Sequence, residues 1–278
     1  TLTSTTSSLA ALALLLPAVA SAQEPALIAE PQGWRDLGGS AVDAIRVGLS
    51  VDSTTRSFEV QGSAVPVQFD APLYPGLALN VELRPLAWFA PASAWRGLAV
   101  SFTTGKHQVT TGVQVPADPE PIPLKIPTRH DETSIGISYE LTLEGGTVLR
   151  PRAGLRSVEF ALGGNPIYTS SFYQSLEAGL DVGWSAPSDR WGVEAGATLR
   201  PSVDMGSTSA SFGSDPEISG WGVRAGLHWR PTSRWVVHAE GRMDRYSGSF
   251  ALGDAAGGAR AELTDRTTSF VVGLDWAY

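Results

Sequence analysis

The sequence contains no cysteine and only two lysines, Lys106 and Lys125, beside 18 arginines. The lack of cysteine excludes a disulfide framework, a thiolate zinc site and a cysteine nucleophile within these residues. Soluble β-proteins commonly place lysine on wet faces and exposed strand edges, whereas the planar guanidinium of arginine suits partly buried ion pairs. This imbalance indicates that the charged faces of the chain do not point at bulk water.

The sequence also lacks an apolar run long enough to span a bilayer as a helix, which requires roughly 20 residues. The longest run, residues 9–20, is followed by the small-x-small pattern Ala20-Ser21-Ala22. We therefore predict a signal peptide over residues 1–22 and an N-terminal periplasmic segment over residues 23–42. The net charge of -8 argues against nucleic acid as a partner.

From Asp43 onward, apolar and polar residues alternate with a period of two, which is typical of strands. We predict one barrel domain over residues 43–278, with ten strands and with eight or twelve as the alternatives. The predicted strands lie near residues 43–53, 76–86, 95–107, 133–143, 148–161, 175–184, 191–200, 221–230, 235–244 and 270–278.

The predicted connections alternate between short and long. Transmembrane barrels show this asymmetry, with short periplasmic turns and longer extracellular loops. An even strand count then places both chain ends on the short-turn side. The short turns are predicted at 87–94, 144–147, 185–190 and 230–234, and the long loops at 54–75, 108–132, 162–172, 204–219 and 248–265.

The aromatic residues indicate which way the apolar face points, since alternation alone does not distinguish lipid from a protein core. Membrane barrels carry aromatic girdles at both interfaces. The predicted membrane-interface aromatics at the short-turn rim are Trp88, Trp95, Trp184, Trp191, Trp229, Trp235 and Trp276, with Trp34 before the first strand. A second girdle is predicted at the other rim from Tyr74, Phe160, Phe172, Tyr173, Trp221, Tyr246 and Phe250.

The polar face would then line the lumen, where charges of both signs could interlock. Barrels of about eight strands are filled by side chains, whereas open aqueous channels appear at roughly 16 strands. We therefore predict an ion-pair plug, with Arg224 opposite Glu240. Its predicted members are Glu82, Arg84, Glu140, Arg150, Arg152, Arg156, Glu177, Asp181, Glu194, Arg224, His228, His238, Glu240, Arg242 and Asp244.

The short turns WSAPSDRW and WRPTSRW and the terminal segment FVVGLDWAY resemble those of bacterial outer-membrane β-barrel proteins, in the small OmpA/OmpX-like class. The resemblance covers the whole mature chain as an architecture. It implies an all-β, closed antiparallel up-and-down transmembrane barrel in the outer membrane, surrounded by lipid and lipopolysaccharide. It also implies that periplasmic barrel-assembly machinery reads the last strand, through Phe270, Trp276 and Tyr278.

Two polar groupings could form chemical sites. His228, His238 and Glu240 could ligate a metal, but nearby arginines would repel a cation, so we expect a hydrogen-bonded pair and no metal or cofactor. Asp181 and Glu194 could act as paired carboxylates, but neutralisation by an arginine of the preceding strand is the preferred interpretation.

Ten-stranded outer-membrane proteases use Asp and His at the outer mouth, which makes His130 and Asp131 the catalytic candidates. They follow the Pro-rich stretch 116–127, and a solvated loop cluster is the preferred interpretation. The predicted function is a non-enzymatic outer-membrane barrel with a charge-plugged lumen and a structural or loop-presenting role. The alternatives are a surface hydrolase and a narrow channel for small solutes.

Overall fold

The computed structural model describes residues 43–62, 67–115, 122–163, 170–186, 188, 190–252 and 259–278. The predicted signal peptide 1–22, the segment 23–42 and Trp34 lie outside these residues, so these predictions remain as they stand.

Ten long antiparallel strands form one closed sheet in the described part of the chain. Each strand pairs with its neighbours in sequence, and the first pairs with the last. This confirms the predicted all-β, up-and-down barrel of ten strands. The strands are β1 Ile45–Gln61, β2 Val67–Leu83, β3 Leu98–Val115, β4 Ile122–Tyr139, β5 Thr147–Leu162, β6 Ser171–Ser185, β7 Trp191–Arg200, β8 Ser214–Trp229, β9 Trp235–Ala251 and β10 Arg260–Ala277.

Short elements decorate both ends of the barrel. Two-residue strands lie at Leu141–Thr142 and Val203–Asp204. A single α-helical turn, α1, covers Pro85–Phe89, and 3-10 turns cover Ala94–Gly97, Glu144–Gly146 and Gly206–Ser211. Among the described residues, no helix has the length and apolar character needed to cross a membrane.

The loop predicted at 162–172 agrees with strand ends at Leu162 and Ser171, but strands extend into the other four predicted long loops, so the boundaries of those four were wrong. β3 continues to Val115 and β4 begins at Ile122, with unbroken pairing along the hairpin. β-branched residues such as Val109, Thr110 and Thr111 favour the extended backbone here. We call the end that carries these hairpins the loop end, and the opposite end the turn end.

The apolar face of the wall changes sides along the first and last strands, β1 and β10. Near the turn end, Leu49 and Leu274 point outward and are 67% and 46% exposed. Near the loop end, Phe58 and Leu263 on the same two strands point inward and are 0% and 1% exposed. Successive side chains of a strand lie on opposite faces, so apolar residues switch from odd to even positions along β1. The outer surface is apolar near the turn end and polar near the loop end, which indicates that these two parts face different surroundings.

The inward apolar side chains at the loop end pack into one cluster, which we call the loop-end core. Phe58 stacks on Phe69 with ring centroids 4.5 Å apart, and Phe69 stacks on Phe160 at 6.0 Å. The core also contains Val60, Tyr74, Val158, Tyr173, Val203, Met205, Phe212, Ile218, Tyr246, Phe250, Ala261 and Leu263. These side chains fill the lumen at this end of the described barrel.

The predicted second aromatic girdle was therefore wrong. Five of its seven residues point into the barrel and are at most 4% exposed, and only Phe172 and Trp221 lie on the outer face. The reason is that the strands continue past the apolar band, where the lumen itself needs an apolar filling. The five inward residues are Tyr74, Phe160, Tyr173, Tyr246 and Phe250.

Substituting Phe58→Ala removes a fully buried ring and leaves a cavity in the loop-end core. We expect the free energy of unfolding in detergent to fall by about 3–5 kcal/mol, measured by denaturant titration. Leu49→Ala, on the outer face of the same strand, leaves no cavity and should cost clearly less. Equal losses for the two variants would contradict the assignment of Phe58 to a packed core.

Candidate functional site

A charged cavity of about 380 Å³ occupies the lumen between the loop-end core and the turn end. The structure places all fifteen residues of the predicted lumen network around it. Asp43, Arg46, Glu132, Arg200, Arg230 and Asp275 complete its charged lining. The lumen is thus filled by apolar side chains at one end and is a polar cavity in its remaining length.

Asp181 and Glu240 anchor the middle layer of this network. The Arg224 guanidinium lies 3.0 Å from each of these carboxylates, and Arg152 approaches Asp181 at 3.3 Å. Arg242 forms a further ion pair with Glu240. Each buried carboxylate therefore has two guanidinium partners, which offsets the cost of removing it from water.

The predicted register between β8 and β9 was wrong by two residues. Trp229 lies opposite Val237, so Arg224 lies opposite Arg242 rather than Glu240. The ion pair between Arg224 and Glu240 still forms, because the long arginine side chain reaches the diagonal position.

Asp244 organises the layer nearer the loop end. Arg156 donates two hydrogen bonds of 3.0 Å to its two carboxylate oxygens, and Arg200 approaches one of them at 2.8 Å. Paired donation of this kind is the strong, directional geometry that arginine provides and lysine does not. Arg156 also binds Glu132 at 3.1 Å.

Glu140 organises the layer near the turn end. Arg84 and Arg150 each donate to its Oε2 at 2.8 Å. Burial alone would raise the pKa of Glu140, but the charges of Arg84 and Arg150 lower it below its ordinary value. Asp43 shows the same balance, since Arg46 and Arg230 lower a pKa that burial would raise.

The strand pairing shows how the residues of the two polar groupings, Asp181 with Glu194 and His228 with His238, are arranged. Asp181 lies opposite Gly196 and Glu194 opposite Gly183, with Arg224 near both carboxylates. His228 lies directly opposite His238. Within the described ranges, no group of three His, Cys, Asp or Glu side chains could hold a metal ion.

A buried histidine cluster lies beneath the loop-end core, and of its members only His130 was a candidate from the sequence. Asp52, Gly76, His107 and His130 occupy one row across β1 to β4. Gly76 has no side chain, and a Cβ there would collide with the His107 ring. The imidazole therefore crosses over β2, and its Nε2 lies 2.6 Å from Asp52 Oδ2.

The contacts of His107 define its charge state. Its Nδ1 lies 3.0 Å from the carbonyl oxygen of His130, and its Nε2 faces the Asp52 carboxylate. Both neighbours accept hydrogen bonds, so the imidazolium form satisfies both contacts. The His130 ring stacks on His107 with centroids 4.6 Å apart, and the Tyr74 hydroxyl lies 3.1 Å from His130 Nδ1.

The interpretation of His130 and Asp131 as a solvated loop cluster was wrong. Both lie on β4, where His130 points inward and is 4% exposed. Asp131 points outward and binds Arg129 at 2.8 Å. Adjacent residues of a strand face opposite sides of the wall, so these two candidates cannot act together on one substrate.

The turn-end aromatics lie on the outer face. Trp88, Trp95, Trp184, Trp191, Trp229 and Trp235 are between 39% and 63% exposed. Trp276 stacks on Tyr278 at 5.9 Å, and the Tyr278 carbonyl accepts hydrogen bonds from the Ala44 and Ile45 amides at the barrel seam. Phe270 is 57% exposed on the same strand as Trp276. A role of Phe270, Trp276 and Tyr278 in assembly stays a prediction.

The fold is similar to that of solved bacterial outer-membrane β-barrels. The outer-membrane protease OmpT from Escherichia coli matches with a TM-score of 0.54 at 9% identity, covering 84% of this chain and 96% of that protein. The β-domain of the Bordetella autotransporter BrkA matches with a TM-score of 0.45 at 9% identity, covering 85% of this chain and 100% of that domain. No protein-family model and no curated protein matches the sequence. The likeness to OmpT shows the fold alone, which is a β-barrel of the type found in bacterial outer membranes.

The lowered pKa of Glu140 makes a pH-dependent contribution to stability. A carboxyl with a depressed folded pKa stabilises above its unfolded value of about 4.3 and loses that contribution as pH falls through the folded value. We expect Glu140→Gln to lower the denaturation midpoint at pH 7, with the gap to the unsubstituted protein narrowing below about pH 4. A gap that stays constant from pH 7 to pH 3 would contradict the ion-pair assignment.

A double-mutant cycle tests the contact between Asp52 and His107. His107→Phe leaves the half-buried Asp52 carboxylate without its imidazole partner and should destabilise the barrel by about 3 kcal/mol. Adding Asp52→Asn should restore part of the loss, giving a coupling of about 1–3 kcal/mol in unfolding titrations. Additive effects of the two substitutions would show that the contact contributes nothing.

Proposed function

We propose that the chain is an integral outer-membrane barrel with a closed lumen, which anchors a folded extension at the cell surface. The observation that supports this role most directly is the loop-end core. Phe58, Phe69 and Phe160 fill the barrel where a channel would need an opening.

Membrane insertion is supported by the height of the outer apolar band. On β8 it runs from Trp229 at the turn end to Trp221, with Val223, Ala225 and Leu227 between them on the outer face. At about 3.4 Å per residue this is roughly 27 Å along the strand, and a tilt of about 40° reduces it to about 20 Å across the membrane. That height is close to the apolar band of about 25 Å in outer-membrane barrels.

The orientation follows from the chain ends. Residue 43 and Tyr278 both lie at the turn end, where the Tyr278 carbonyl binds Ile45. Short turns face the periplasm in this class of barrel, so the loop end faces outward. We propose export after cleavage of residues 1–22, barrel assembly through the last strand, and a final environment of outer-membrane lipid and lipopolysaccharide.

A channel is disfavoured by the layer beneath the loop-end core. Arg56 donates to Asp265 at 2.8 Å, and its guanidinium lies 3.9 Å from the centre of the Phe160 ring. The Tyr173 hydroxyl donates to the same carboxylate at 2.7 Å. A passing ion would have to disrupt this buried pair and then enter an apolar core, and both steps are costly.

Hydrolysis at the outer mouth has less support. Imidazole and carboxylate groups meet at two places in the described ranges, His107 with Asp52 at 2.6 Å under the loop-end core and His238 with Asp275 at 3.4 Å in the lumen cavity. A peptide or lipid at the cell surface could not reach them without displacing aromatic side chains. The likeness to OmpT concerns the fold, and the protease activity belongs to that protein.

Planar-bilayer recordings test the closed lumen. The unsubstituted protein should insert and give no stable conductance, because the loop-end core blocks ion passage. A Phe58→Ala, Phe212→Ala, Phe250→Ala variant, which shrinks three buried rings, should give small conductance steps.

The matched control replaces outward apolar residues, as Leu49→Ala, Leu176→Ala and Leu199→Ala, and should stay silent. Retention of the unsubstituted protein in vesicles after urea washing checks insertion separately. Steady conductance without substitutions, or release from washed vesicles, would overturn the proposal.

A further inference from the structure

Two arginines lie side by side on the outer face where the apolar band ends. Arg245 on β9 is directly opposite Arg266 on β10, and Trp221 on β8 is opposite Arg245 on its other side. Both arginines are exposed. The row Trp221, Arg245 and Arg266 is called the outer arginine row below.

The pair lacks the counter-charge that such an arrangement needs. Like charges directly opposite each other destabilise a sheet. In the described part of the chain, neither Arg245 nor Arg266 has a carboxylate within ion-pair distance, whereas Arg129 binds Asp131 and Arg260 binds Glu217.

Neighbouring carboxylates are directed elsewhere. Asp244 and Asp265, which adjoin the two arginines in sequence, point into the lumen. Glu59, on the outer face of β1, lies opposite Thr264 rather than Arg266. Within the described ranges, the two guanidinium groups therefore face outward without a carboxylate partner.

The position of the outer arginine row along the barrel wall indicates which anionic group could bind the two arginines. Toward the turn end, Met243 is the next outward residue after Arg245 on β9, and Phe270 is the second outward residue after Arg266 on β10. Toward the loop end, the next outward residues are Ser247 and Thr264. The row thus lies where hydrocarbon gives way to headgroups in the proposed orientation. Guanidinium groups bind phosphate through paired hydrogen bonds, and tryptophan favours this interface.

We propose that Arg245 and Arg266, flanked by Trp221, bind the phosphate group of a phosphorylated outer-leaflet lipid of the lipopolysaccharide type. The acyl chains of such a lipid would lie against Phe270 and Met243, which favours a lipid over free phosphate. This site rests on the proposed membrane orientation.

Binding of diphosphorylated lipid A to the detergent-solubilised full chain, followed by native mass spectrometry, tests the site. The unsubstituted protein should bind it at least ~10-fold tighter than fully dephosphorylated lipid A. An Arg245→Ala, Arg266→Ala variant should lose most of that preference, since each interfacial arginine contributes about a factor of five.

A variant with Arg129→Ala and Arg260→Ala is the matched control, because it removes the same charge from arginines that already have acidic partners. It should bind like the unsubstituted protein. Folding of each variant is checked by heat-dependent migration on SDS gels, and Arg245→Gln alone replaces the double variant if that variant does not fold.

The proposal is overturned if both double variants lose binding equally, if neither does, or if inorganic phosphate at the same concentration displaces the lipid. Vesicle retention separates the two levels of inference. A protein that is washed out of vesicles contradicts the proposed function, whereas retained protein without phosphate preference contradicts this site alone.

Discussion

The structure depends on one constraint. A strand has only two faces, and the side chains on the inner and outer faces of the barrel wall meet different environments. Between Arg245 and the turn end, the outer face carries Leu49, Leu274 and similar apolar side chains, and the inner face carries charged side chains. Above it, Phe58 and Leu263 fill the inside while the outer face is polar. The strands run through both zones without a break in pairing between β9 and β10. The inversion of the apolar face therefore divides the barrel into two zones, one with an apolar outside and a charged lumen and the other with an apolar interior.

The charged cavity follows from the lower zone. Because the apolar side chains of this zone point outward, the polar side chains turn inward, where an unpaired charge is expensive. Arginine guanidinium groups supply the opposite charge. Asp244 lies between Arg156 and Arg200, and Glu140 lies between Arg84 and Arg150. The scarcity of lysine in the sequence has its explanation here, since a point-like ammonium could not bridge carboxylates on several strands in the same way.

The fold class and strand count were predictable because alternation is a local property of the chain. The lower outer face, with Trp184, Trp191, Trp229 and Trp235, followed from the same pattern. The loop-end hairpins were missed because their outward residues, such as Arg129 and Asp131, are polar and resemble a loop in composition. A period-two pattern whose apolar positions change from odd to even, as between Val51 and Phe58, was the available signal.

The sequence by itself determined the alternation, the ten strands, the turn-end tryptophans and the identity of the lumen charges. Only the tertiary structure decided which charges meet, because register depends on pairing across the closed sheet. Strand register places Arg224 opposite Arg242 and lets His107 reach Asp52 over Gly76. Neither arrangement can be read from the spacing of these residues along the chain. The placement of Arg245 opposite Arg266 has the same origin, since this pairing joins residues 21 positions apart on neighbouring strands.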